Sequence, residues 1–89
     1  MDDIEGLYRK RTSIEKEMEA LLNFLNSKEC KKVGMTGALI DEEQYPRADV
    51  DIYAVREARH RVRCLENDLR SIESQLQSAL EELHQKWQN

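Results

Sequence analysis

The sequence predicts an all-α fold: an antiparallel two-helix hairpin, coiled-coil-like, with a long ordered connection packed on the start of the second helix. Apolar residues recur at alternating three- and four-residue spacing in two long segments, the pattern of a heptad seam. Charged residues make up 36% of the 89 residues, with only three Gly and one Pro, a composition suited to exposed long helices. No segment of useful length alternates with period two, so no β-sheet is expected.

The first helix is expected from about residue 2 to 28. Its seam is Ile4, Leu7, Ile14, Met18, Leu21 and Leu25, with Leu22 beside it, interrupted only at Arg11. Asp2, Asp3 and Glu5 suit the positive end of the helix dipole. Arg11 is expected to lay its stem along the seam and keep its charged head in water.

Residues 29–48 lose the period. Val33-Gly34-Met35-Thr36-Gly37 places two glycines in one short stretch, which breaks both helix and strand. Connections between packed helices usually run about two to eight residues, so this one is either disordered or a packed functional loop. Val33, Met35, Leu39, Ile40 and Tyr45 favour packing, because a disordered linker is poorer in such residues. Pro46 fixes its own φ and pushes Tyr45 towards extended backbone.

The second helix is expected from about 49 to 87, with Asp49 accepting a hydrogen bond from the first turn and Asp51 adding favourable charge. Its seam is Val55, Ala58, Val62, Leu65, Leu69, Ile72, Leu76, Ala79 and Leu83, widened by Leu80 and Trp87. Antiparallel seams pair in steps of seven. One register sets Leu25 opposite Leu65, Leu21 opposite Leu69 and Leu7 opposite Leu83, with Arg11 facing Ala79 and Trp87 near Ile4. The register one heptad shorter sets Leu21 opposite Val62 and strands Leu83 and Trp87, forfeiting roughly 1.5–3 kcal/mol for each. The first is therefore expected. The loop would then cover Val55 and Ala58, and Tyr45-Pro46-Arg47 would form a fixed edge at the start of the second helix.

Several function classes are disfavoured. The net charge of −4 argues against general nucleic-acid binding. No apolar run nears the ~18 residues that span a bilayer, and MDDIEGLYRKR has no apolar stretch of signal-peptide type. Cys30 and Cys64 are too few for a disulfide scaffold and fit a reduced cytosolic or nuclear setting, Cys64 as a small core residue and Cys30 as an ordinary thiol. His60 and His84 lie too far apart on one helix to cooperate. No Cys-x-x-Cys, His-Glu-x-x-His or glycine-rich phosphate loop occurs, and a hairpin offers no desolvated cleft for a carboxylate pair. No enzyme, cofactor or metal site is expected.

Specific recognition chemistry gathers between Asp41 and His60. Arg56, Arg59, His60 and Arg63 share a helical face, with Arg61 nearby. They form either a solvated face paired with Asp41, Glu42, Glu43, Asp49 and Asp51, or a surface for an acidic partner or a phosphate backbone. Tyr and Arg are enriched among residues that dominate binding energy. Tyr45-Pro46-Arg47 is thus either a recognition edge or a place where Tyr45 and Tyr53 simply pack the loop onto the helix.

The stretch GALIDEEQYPRADVDIYAVREARHRVRCLENDLRSI resembles the N-terminal domain of the 26S proteasome non-ATPase regulatory subunit 9 family. The resemblance rests on Leu39, Asp41, Tyr45-Pro46-Arg47, Asp49, Asp51, Tyr53, Val55-Arg56, Ala58-Arg59, Leu65 and Asn67-Asp68, and it covers roughly Leu39 to Leu83. The first helix is similar by pattern alone, and Gln44 departs from the family's Gly. The resemblance implies a non-enzymatic assembly chaperone of the proteasome base that acts in cytoplasm and nucleus. It would grip the C-terminal helical domain of an ATPase subunit. The family's C-terminal PDZ domain has no counterpart in these residues. Chemical type and resemblance together nominate Tyr45, Pro46, Arg47, Asp49, Asp51, Tyr53, Arg56 and Arg59 as partner-binding, in a chain that is a monomer by itself. The competing expectations are a structural coiled-coil dimerisation module using Leu80 and Trp87, and a helical-arm nucleic-acid binder using the arginine face.

Overall fold

Helix α1 (Ile4–Leu25) is capped by Asp3, whose own backbone is extended. The Asp3 carboxylate accepts the Gly6 amide at 2.6 Å and satisfies one donor that the first turn leaves free. The structure, a computed structural model, describes residues 3–88; the expected start at Asp2 lies outside them. α1 ends about a turn earlier than residue 28. Asn26 donates its side-chain amide to the Leu22 carbonyl at 2.9 Å, and Ser27 its hydroxyl to Phe24 at 2.6 Å. The Ser27 hydroxyl and the Gly34 amide take the Phe24 and Leu25 carbonyls that a further helical turn would have used. Helix α2 (Ile52–Gln88) follows, and the body measures 67 × 19 × 17 Å.

The cap of α2 is Asp51, not Asp49. The Asp51 carboxylate accepts the Ala54 amide at 3.0 Å, and its carbonyl accepts the Val55 amide at 3.0 Å. Asp49 is unavailable because Arg47 holds both of its oxygens. Among the described residues the only β pairing is an isolated antiparallel bridge between Ile40 and Pro46.

Two apolar clusters hold the hairpin together. Near the loop, Leu25, Cys30, Val33, Val55, Ala58 and Val62 are buried, with Met18, Leu21, Leu22, Phe24, Met35 and Leu39 packed around them. Farther along, Leu7 is buried with Ile72 and Leu76, flanked by Ile4 and Ile14. The expected register is therefore wrong: Leu7 meets Leu76 rather than Leu83, and Leu25 meets Ala58 and Val62 rather than Leu65. Glu17, joined to Arg61, lies still farther from the longer register, which would set it beside Glu73. The helices adopt the pairing one heptad shorter, and Leu83 and Trp87 stay 42% and 82% exposed.

The loop explains the choice. Cys30 and Val33 turn back directly under the end of α1, because the Gly34 amide bonds the Leu25 carbonyl at 3.0 Å. Leu25, Cys30 and Val33 can then close over Val55 and Ala58 only if α1 reaches that far along α2. Burying five such side chains outweighs burying two at the opposite end. The cysteines also exchange their expected places: Cys30 is a core residue, whereas Cys64 is part-exposed, its sulfur 3.6 Å from His60 Nε2. Arg11 keeps its head at the surface, paired with Glu15 at 2.8 Å.

Candidate partner-binding site

The connection is a sequence of short hydrogen-bonded turns. The Gly37 amide donates to the Val33 carbonyl at 2.7 Å. A Cβ at residue 37 would stand 2.5 Å from that same oxygen, so the turn requires glycine. Next comes a minimal hairpin. The Asp41 amide donates to Tyr45 at 2.8 Å, and the Arg47 amide to Leu39 at 3.0 Å. One carboxylate oxygen of Asp41 accepts both the Glu43 and Tyr45 amides at 2.9 Å, while the Gln44 amide bonds the Asp41 carbonyl at 3.0 Å. Gln44 closes the turn at φ 71°, the left-handed region that favours glycine. The departure at residue 44 therefore falls on a position where a side chain is strained.

Two arginines clamp this loop. Arg47 grips Asp49 with two bonds of 3.0 and 2.8 Å and donates a third to the Ala38 carbonyl at 3.1 Å. The hydrogen bonds with Arg47 hold the Asp49 carboxyl below its usual range, and those with Asp49 push the guanidinium up. Arg59, about two turns into α2, donates to the carbonyls of Gly34 at 2.9 Å, Gly37 at 2.7 Å and Val33 at 3.4 Å. A guanidinium's planar fork suits several carbonyls of one turn in a way that an ammonium cannot match.

The eight nominated residues thus divide. Arg47, Asp49, Asp51 and Arg59 hold the loop and the start of α2 in place. Tyr45, Pro46, Tyr53 and Arg56 face outward. Tyr45 and Tyr53 are 65% and 78% exposed, so neither packs the loop onto the helix. Ile40, expected in the loop's covering layer, is also exposed, and Val50 is buried instead. Of the acids considered as partners for the basic face, only Asp49 forms an ion pair, and its partner is Arg47. Among the described residues, Arg56 and Arg63 form none. Asp41's role as the organiser of the hairpin was not anticipated; an Asp opening a four-residue polar turn was the available signal. The link between Glu17 and Arg61 was missed because it depends on the register.

No group of three or more metal-ligating side chains occurs among the described residues, and no helix is long and apolar enough to cross a membrane. The geometry defines a two-helix hairpin domain that displays aromatic and basic side chains on a clamped loop and the helix it leads into. The family model described as the Nas2 N-terminal domain matches residues 4–85, so the chain belongs to that family. The match includes the first helix, where the sequence alone showed only a pattern. The chain is 45% identical over 84 residues to a mouse protein named 26S proteasome non-ATPase regulatory subunit 9, and 42% identical over 84 residues to the human protein of that name. It is 34% identical over 83 residues to a fission yeast protein named probable 26S proteasome regulatory subunit p27. These alignments cover 94%, 94% and 93% of this chain, but only 37%, 37% and 38% of the respective relatives. No solved structure matches the chain significantly.

Proposed function

We propose that this domain is the protein-binding part of a proteasome assembly chaperone, holding an ATPase subunit of the regulatory-particle base by that subunit's C-terminal helical domain. Relatives that carry the name of a proteasome regulatory subunit support the association. The single observation that carries the reading further is the exposure of Tyr45 on a loop that Arg47 and Arg59 hold rigid. A preorganised aromatic edge binds without the entropic cost of ordering a loop. Tyr45, Pro46, Tyr53 and Arg56 make contact, while Arg47, Asp49, Asp51 and Arg59 position them. The reading places the domain in cytoplasm and nucleus as a monomer with no catalytic role.

Purified protein mixed with isolated C-terminal domains of the base ATPases tests it. One of those domains is expected to co-elute, and Tyr45→Ala with Tyr53→Ala is expected to weaken binding at least tenfold while helicity by circular dichroism stays unchanged. Failure of every ATPase domain to bind overturns the reading. A second reading, a dimerisation module, draws on the exposed Leu80, Leu83 and Trp87 at the end of α2. Light scattering separates the two: a dimer that dissociates on Trp87→Ala favours the second.

A further inference from the structure

We infer that the outward stripe of α2 running Arg56, His60, Arg63, Asn67 and Arg70 is a docking surface for an acidic α-helix of a partner protein, one whose carboxylates repeat every seven residues. Arg56, Arg63 and Arg70 are seven positions apart. Seven residues make just under two turns, so the three guanidinium stems form a nearly straight row with rungs about 10.5 Å apart. His60 and Asn67 fill the gaps at three- and four-residue spacing, and Ser74 continues the line. All six are exposed, on the side of α2 turned away from α1. The stripe contains no carboxylate, although the chain as a whole is acidic at −4.

Nor is the row occupied from within. Among the described residues Arg56 and Arg63 have no ion-pair partner, and Arg70 has only a 3.4 Å contact with the Asn67 side-chain oxygen. Glu66 lies three residues after Arg63 and four before Arg70, within reach of either, yet pairs with neither among the described residues. Elsewhere the chain's arginines are engaged: Arg9 with Glu5, Arg11 with Glu15, Arg47 with Asp49 and Arg61 with Glu17, and Arg59 with the loop carbonyls.

Charge complementarity selects the occupant. A helix lying along α2 with acids at every seventh position offers one carboxylate per rung, and each can take a guanidinium side on. A nucleic-acid strand fits worse. It carries a charge about every 3.4 Å, so it would bring its intervening phosphates close to Glu57, Glu66 and Glu73, which border the stripe. The inference does not depend on which assembly the domain joins, since the stripe is separate from the Tyr45 edge, sharing only Arg56 with the proposed contact set.

The test is an NMR titration of the whole chain, which registers weak binding and reports its location. Two alanine-rich helical peptides of equal composition serve as probes, one with three glutamates at seven-residue spacing, the other with the same glutamates five apart. The in-register peptide is expected to shift the side-chain Nε–H signals of Arg56, Arg63 and Arg70 and to bind about tenfold more tightly than the other, the sum of three exposed ion pairs. Arg56→Glu, Arg63→Glu and Arg70→Glu together should abolish that preference; Arg63→Gln alone, which cannot disturb the fold through repulsion, should reduce it. Equal affinity for the two peptides, no binding of either, shifts confined to other residues, or tighter binding of an RNA duplex than of the in-register peptide would each overturn the inference.

Discussion

Arg59 reaches across 22 positions of sequence to bond the Gly37 carbonyl at 2.7 Å, and with that bond α2 holds the connecting loop. The same guanidinium serves Gly34 and Val33, so three loop carbonyls share one side chain. Arg59→Ala is expected to destabilise the protein by about 1–3 kcal/mol, since part-buried carbonyls lose a charged donor. Arg59→Lys should recover little, because a point charge cannot span the three acceptors. Urea unfolding of the two variants against wild type checks both statements.

Gln44 bears a side chain at φ 71°. Left-handed backbone costs an ordinary residue roughly 1–2 kcal/mol that glycine does not incur, part of which glycine returns through its more flexible unfolded chain. Gln44→Gly is therefore expected to stabilise the protein by up to about 1 kcal/mol. A midpoint of thermal unfolding that falls instead would show that the Asp41 turn already relieves the strain.

The helix offset yields a paired comparison. Leu76 is buried against Leu7, so Leu76→Ala should cost about 2–5 kcal/mol. Leu83 is half out in solvent, and Leu83→Ala should stay within about 0.5 kcal/mol of wild type. The longer register would bury both leucines, so Leu83→Ala would then cost about as much as Leu76→Ala. Trp87 adds a spectroscopic check: its fluorescence should already be that of a hydrated indole and should not redden on unfolding.

These two leucines also mark where the sequence was legible. The alternating seam identified both helices and the hairpin, because burial of one stripe leaves a periodic trace. Ordering of the loop was legible from Val33, Met35 and Leu39, which pack as expected. The register was not, because heptad positions are equivalent at every step of seven, and the deciding contacts of Cys30 and Val33 with Leu25 come from an aperiodic stretch. Arg47 and Arg59 were identified as noteworthy, but their bonds to Asp49 and to the loop carbonyls were not, because those partners lie in the same aperiodic stretch. Composition marks an arginine as capable of binding, and only the fold tells whether it binds the chain's own carbonyls or something outside.

Acid should weaken the fold slightly. Asp49 and Glu17 are held below their ordinary ranges, chiefly by hydrogen bonds with Arg47 and Arg61. Their contribution is fully present above the unfolded carboxylate value of about 4 and is lost as pH falls through the lower folded values. Both pairs are exposed, so the effect is small and salt blunts it. Asp49→Asn with Glu17→Gln should flatten the acid limb of a plot of urea midpoint against pH, leaving the region above neutral pH parallel to wild type.

The claim that the connection is a fixed edge rather than a flexible tether is tested most directly by amide hydrogen exchange. The Gly34, Gly37, Asp41 and Arg47 amides each bond a carbonyl within the loop or at the end of α1. They are expected to exchange much more slowly than an unstructured chain in wild type, with protection at Gly34 and Gly37 falling in Arg59→Ala while the α2 amides keep theirs. Exchange at unstructured rates across these four amides in wild type would contradict it.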